Sequence, residues 1–262
     1  MNRFTKQFLL GVRSHKLAYQ HIREHGLWHY FVWPILLAIG ILWGGATLIT
    51  GLTEWTVETL KALLWDQDTP DGFLDKVVFY LVWIVFKVLF FYTYYIVNKY
   101  IVFIILSPVL AIISERVDTH QTGRQFPFSL PQLYKDVLRG IVIALRNLFL
   151  EYAATLVLLV VSIFLPVFAP FYPIVIFFIA AYFYGFSFLD YNSERYRYSY
   201  SKSVRIIRSN MGLSVGIGTV FSLLFFIPIL GGIVAPILSC VAATIAFIKE
   251  FKPKSDSTLV TT

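Results

Sequence analysis

LFFIPILGGIVAPILSC, residues 224–240, lies inside the last long apolar stretch of a 262-residue chain and decides how that stretch folds. It holds Pro228, the pair Gly231-Gly232 and Pro236. A proline in a helix interior costs about 3 kcal/mol and a glycine about 1 kcal/mol relative to alanine. The surrounding apolar run, 213–248, has 36 residues, whereas one crossing of a bilayer takes about 20. Four helix-weakening residues near its middle predict a helical hairpin, with Pro228, Gly231, Gly232 and Pro236 at its tip. Such a tip is tolerated within a bilayer only where protein or a watery cavity covers its backbone.

The rest of the chain asks for the same solvent. It is 58% hydrophobic and 14% charged, against about 25% charged residues in a soluble domain. Residues 30–52 form an uncharged run long enough for one crossing, and 77–106 form a second with length to spare. A third block, 152–189, is cut by Pro166, Pro170 and Pro173. The expected fold is an all-α integral membrane protein: two long transmembrane helices, 30–52 and 77–106, and two Pro/Gly-broken helical hairpins, 150–189 and 213–248. These belong to a single membrane domain, 1–248, followed by a polar tail, 249–262. Each hairpin arm is about 12–19 residues, short for a full span. The alternative is four ordinary crossings with very short outer loops. The polar lead of 29 residues and the long run behind it do not read as a cleavable signal peptide. The single cysteine, Cys240, excludes an intrachain disulfide and a thiolate metal cluster.

Charge orients the chain. Net charge is +4 over 1–29, +2 over 107–146, +3 over 190–210 and +1 over 249–262, whereas 53–76 carries −4. Basic segments stay cytoplasmic, so 53–76 alone is expected outside, and both hairpins return to the inner side. Phe4, Phe8, Val12, Tyr19 and Ile22 fall near one helical face, which predicts an amphipathic interfacial helix within 1–29. Ser129 is positioned to cap a further helix from about Pro131, running through Leu133, Val137, Ile141, Leu145 and Leu148 into the third block. The stretch YNSERYRYSYSKSVRIIRSN, 191–210, mixes tyrosine and arginine. Between membrane segments it reads as a headgroup-facing linker, not a nucleic-acid site.

Signals for catalysis are absent from the sequence. There is no Walker A loop, GxGxxG, GxSxG, HExxH or CxxC, so neither an enzyme nor a cofactor is expected. His21, His25 and His29 recur at i, i+4 and i+8, a spacing that can present imidazoles to a metal. Gly26 interrupts it, and no Cys or Asp supports it, so the reading is an interfacial histidine cluster without a metal. Lys87 lies near the middle of the second run, where an ammonium is costly unless it faces a cavity or a partner. Glu151, at the start of the third block, is the candidate partner. Two readings stand for this pair: a polar pathway or anion site, and a structural ion pair or a snorkelling lysine.

Four segments together carry a family resemblance: HGLWHYFVWPILL before the first crossing, SPVLAIISERVD after the second, FSFLDY at the end of the third block, and VRIIRSNMGLSVGIGTVFSLLFFIPILGGIVAPILSCVAATI. The chain resembles the CysZ family of bacterial sulfate permeases, grouped with the etoposide-induced protein 2.4 family, over roughly 4–248. The resemblance implies two transmembrane helices, two hairpins that only partly penetrate the bilayer, and a homo-oligomer in the inner (plasma) membrane. It implies uptake of sulfate without ATP hydrolysis, and a sulfate site at a Gly-Leu-Arg-Arg helix start, built from backbone amides and two guanidiniums. Here Gly26 and Leu27 match, but Trp28 and His29 stand where the arginines are expected. The candidate anion site is therefore Gly26, Leu27, Trp28 and His29, with membrane lipid and a small sulfate-like anion as partners. The second function carried forward is a non-transport oligomeric membrane scaffold, which the missing arginine pair favours.

Overall fold

A computed structural model describes residues 2–37, 39–40, 55, 59, 73–125, 130–227 and 230–251. The described residues are helical with no strand. Helix α1 spans Arg3–Glu24, and α2, which opens as a 3-10 turn, spans Leu27–Leu37. Then come α3 (Phe73–Thr122), α4 (Leu130–Phe164), a 3-10 turn at Pro166–Phe171, and α5 (Tyr172–Arg195). Helices α6 (Tyr200–Ser209), α7 (Met211–Phe225) and α8 (Leu230–Phe251) complete the chain. Val137–Phe164, Pro166–Arg195 and Gly231–Phe251 are each long and apolar enough to cross a membrane. The protein is an all-α integral membrane protein.

Helix α7 is the hub, and it works because it is thin. Its sequence GLSVGIG places Gly212 and Gly216 one turn apart, and a Cβ on either would run into the backbone oxygen of Phe4 or Phe8 in α1. Gly218 meets the Ala181 backbone of α5 in the same way. Gly11 of α1 returns the fit, its missing Cβ lying 2.8 Å from Ile217 N. Lipid tails are as apolar as leucine, so helices in a membrane associate through close packing, and small residues permit the closest approach. Next to this seam Phe103, Tyr184, Phe188 and Phe221 form an aromatic core, with ring centroids 5.0–6.0 Å apart.

The opening stretch does two things. Chain reversal occurs after Phe225, and Gly231 returns α8 so close to α7 that a Cβ there would meet the oxygen of Leu224 and the backbone of Phe225. Gly231, Gly232 and Pro236, expected at the tip, are all within α8, and Pro228 lies outside the described residues. A helical proline crowds the carbonyl four residues back. For Pro236 that is Gly232, whose position is open enough that a Cβ would touch nothing. Pro236 thus softens the first turns of α8 without ending it, and from Ala235 onward the helix is mostly buried.

Three segments differ from expectation. Helix α1 does not simply lie with one face on a lipid surface. Its Gln7, Gly11, Ser14 and Ala18 face packs on α7 and α8, while Phe4 and Tyr19 point outward and Ile22 is buried. Helix α3, at about 75 Å for 1.5 Å per residue, far outruns a bilayer and ends only at Gly123, whose φ of +72° stops it. The linker 191–210 is not all headgroup-facing. Tyr191, Asn192 and Ser193 finish α5 inside the protein, and the exposed part is α6. A bend of 84° separates α6 from α7. It is held at Asn210, whose Oδ1 accepts from Arg3 (2.9 Å) and Gln7 (2.5 Å).

The arms of the first hairpin are longer than its apolar block. Helix α4 begins at Leu130, because the amphipathic stretch from Pro131 runs into the apolar arm with no breaker between them. By length α4 and α5 each suffice for a crossing, whereas α7 has 15 residues, about 22 Å. The proline turn between α4 and α5 has no buried residue, and Phe164, Val167 and Phe171 stand exposed around it. Ser129, most of the 30–52 crossing beyond Gly40, and nearly all of 53–76 lie outside the described residues.

Candidate functional site

The expected anion-binding segment is the start of α2. Helix α1 ends at Glu24, and Gly26, at φ +65°, ψ +30°, turns the chain into the 3-10 helix Leu27–Phe31. That left-handed conformation disfavours any residue with a Cβ. Leu27 is buried and anchors the turn, while Trp28 and His29 are exposed. The Trp28 ring packs edge-on to Tyr19, with centroids 6.3 Å apart, and against Phe31 at 5.4 Å. His29 Nδ1 lies 3.2 Å from the carbonyl oxygen of Gly26, and its ring lies on Tyr30. The first N–H groups of a helix lack intrahelical partners and attract anions. Here that field is flanked by an indole and an imidazole, which lack a guanidinium's permanent charge.

A second polar centre lies where α3, α5 and α8 meet. Asp118 is fully buried and takes Arg195 Nη1 on Oδ2 at 2.9 Å, with the Tyr196 hydroxyl donating to the same oxygen at 2.8 Å. Thr122 Oγ1 donates to Oδ1 at 2.9 Å. The other arm of Arg195 reaches Ser114, which also meets Thr244 at 3.0 Å. Nearby, Arg139 of α4 forks onto Asp190 of α5 at 2.9 and 3.1 Å, and Ser203 of α6 bonds the same carboxylate. Two planar guanidinium–carboxylate pairs thus tie three helices, α3, α4 and α5, together. In the sequence these charges belong to segments expected on the cytoplasmic side. The available signal was the place of the carboxylates, Asp118 at the end of SERVD and Asp190 as the single charge in FSFLDY.

Glu151 is almost fully buried on α4 and accepts a hydrogen bond from the Tyr100 hydroxyl of α3 at 2.7 Å. Lys87 lies thirteen residues earlier on that helix, about 20 Å along its axis, and its side chain lies outside the described residues. One turn before Glu151, the buried Asn147 donates to Ser187 at 3.0 Å.

The histidines regroup. His29 stays apart at the start of α2, whereas His21 and His25 meet His120 from the end of α3, with one ring nitrogen of each within 4.8 Å of the others. Desolvation first, then the neighbouring imidazoles His25 and His120, push the His21 pKa down to about 4.

Guanidinium–carboxylate pairs between helices, thin glycine-faced helices and an exposed apolar hairpin define a multi-pass membrane protein. A profile of the sulfate transporter CysZ/etoposide-induced protein 2.4 family matches residues 15–236, and the chain belongs to that family. No curated protein matches it. The matched range contains the Gly26 turn, both guanidinium–carboxylate pairs and the histidine cluster.

Proposed function

We propose that this chain is an inner-membrane permease for sulfate or a similar small oxyanion, acting as a homo-oligomer without ATP hydrolysis. The observation that carries the reading is the helix start at Gly26-Leu27. Gly26, Trp28 and His29 are exposed there, the chain is left-handed at the glycine, and the turn lies within the family-matched range. Amides at this start supply part of an anion's field. In liposomes holding the purified protein, labelled sulfate is expected to enter faster than in empty ones. Replacing Trp28 and His29 together by arginine is expected to tighten sulfate binding by roughly tenfold or more, since a charge-assisted hydrogen bond contributes about 1.5–3 kcal/mol. Calorimetry on both proteins checks this. Absence of flux and of binding in both would overturn the permease reading. It would leave the oligomeric scaffold, which Trp28 and His29 in place of an arginine pair already favour.

The proposed topology places both termini in the cytoplasm, 53–76 outside, full crossings at 30–52 and 77–106, and both hairpins returning to the inner side. Beyond Glu151 the charge-free part of α4 runs only to Phe164, about 20 Å, which keeps the Pro166–Phe171 tip within the bilayer. On a Cys240→Ser background, Leu60→Cys is expected to react with an impermeant thiol reagent added outside. Phe168→Cys, Gln125→Cys, Tyr200→Cys and Thr258→Cys are expected to stay unreacted. Labelling at 125 or 200 would refute the single orientation, and labelling at 168 alone would make the first hairpin two full crossings.

A further inference from the structure

We propose that His21, His25 and His120 form a binding site for a transition-metal dication of the zinc or cobalt kind, which clamps the end of α1 to the end of α3. The site is independent of the transport reading.

Two of the ligands come from the last turn of α1 and its C-cap, at i and i+4. The third comes from the last turn of α3. His25 lies between the other two, with ring centroids 4.1 Å from His21 and 4.3 Å from His120, and His21 and His120 are 5.5 Å apart. The hydrogen bonds orient two of the rings for coordination. His25 Nδ1 lies 3.1 Å from the His21 carbonyl oxygen. A proton on Nδ1 donates to that oxygen and leaves the Nε2 lone pair outward. His21 Nδ1 lies 3.2 Å from Gln121 Nε2, and turning that amide over puts its oxygen in the same place. With the amide oxygen turned to the ring, Nδ1–H donates to it, and the Nε2 lone pair is free. That Nε2 is buried and has no hydrogen-bond partner. A buried ring nitrogen without a partner is costly, and a metal ion would satisfy it. A ligating histidine usually gives its other N–H to such an outer acceptor.

The donor set selects the metal. Three imidazoles with no carboxylate, and with Arg116 acting on His120, offer a hard cation such as magnesium or calcium nothing it prefers. Imidazole suits zinc and its neighbours, at metal–nitrogen distances of about 2.0–2.1 Å. The stacked rings must turn for their lone pairs to converge, and His25 and His120 are exposed and free to do so.

The test uses the full chain without a histidine tag, stripped by a chelator and then freed of it. Zinc chloride titrated by calorimetry is expected to bind once per chain and to raise the thermal transition, because it binds only the folded form. Cobalt is expected to give the intense visible absorption of a tetrahedral ion. His25→Ala and His120→Ala remove exposed rings and leave the core packed. Each is expected to weaken zinc binding by roughly tenfold or more, with His29→Ala unchanged. Zinc binding by wild type no tighter than by the His25→Ala/His120→Ala double variant would overturn the site, as would an equal loss on His29→Ala.

Discussion

Asp118→Ala is expected to cost about 3–5 kcal/mol, because it leaves the Arg195 guanidinium buried without its counter-charge. The carboxylate is fully buried and is the common acceptor for Arg195, Tyr196 and Thr122, so its loss strands the donors of Arg195 and Tyr196, while Thr122 keeps the Asp118 carbonyl. Thermal unfolding in detergent, followed by fluorescence and by size-exclusion profile, checks the magnitude. The double variant Asp118→Leu/Arg195→Met is expected to recover a large part of the loss. A buried ion pair replaced whole by apolar groups is often neutral, whereas one broken in half is not. If the single and double variants unfold alike, the pair contributes only packing.

Gly218→Val is expected to be at least as damaging, through sterics rather than charge. The new Cβ would fall on the backbone oxygen of Ala181, and backbone cannot rotate away as a side chain can. Overpacking of a core costs about 1–3 kcal/mol where side chains can yield. Here α5 and α7 must separate, and with them the Phe221 ring that packs on Tyr184 and Phe188. The expected outcome is loss of monodisperse protein on size exclusion. Gly232→Ala, where a Cβ meets open space, serves as the matched control and is expected to stay near wild type. Equal behaviour of the two variants would remove close packing as the reason for the glycines of α7.

Local signals in the chain determined the membrane class, the helical content and the existence of both reversals. Apolar run length and proline–glycine breaks act over a few turns, and lipid leaves a backbone there few alternatives to a helix. The GLSVGIG run and the SERVD and FSFLDY segments were visible as patterns, and they carried the family resemblance that the profile match bears out. Tertiary structure decided everything that depends on which face meets which. Helix α1 turned its small and polar face to α7, because glycines there allow backbone contact that its phenylalanines would prevent. Asp118 found Arg195 across 77 residues, Glu151 found Tyr100 across 51, and His120 joined His21 and His25 from another helix, while His29 fell away beyond the Gly26 turn. No periodicity encodes such pairings. A buried polar group needs a partner, and which partner it takes is fixed only when the helices have chosen their neighbours.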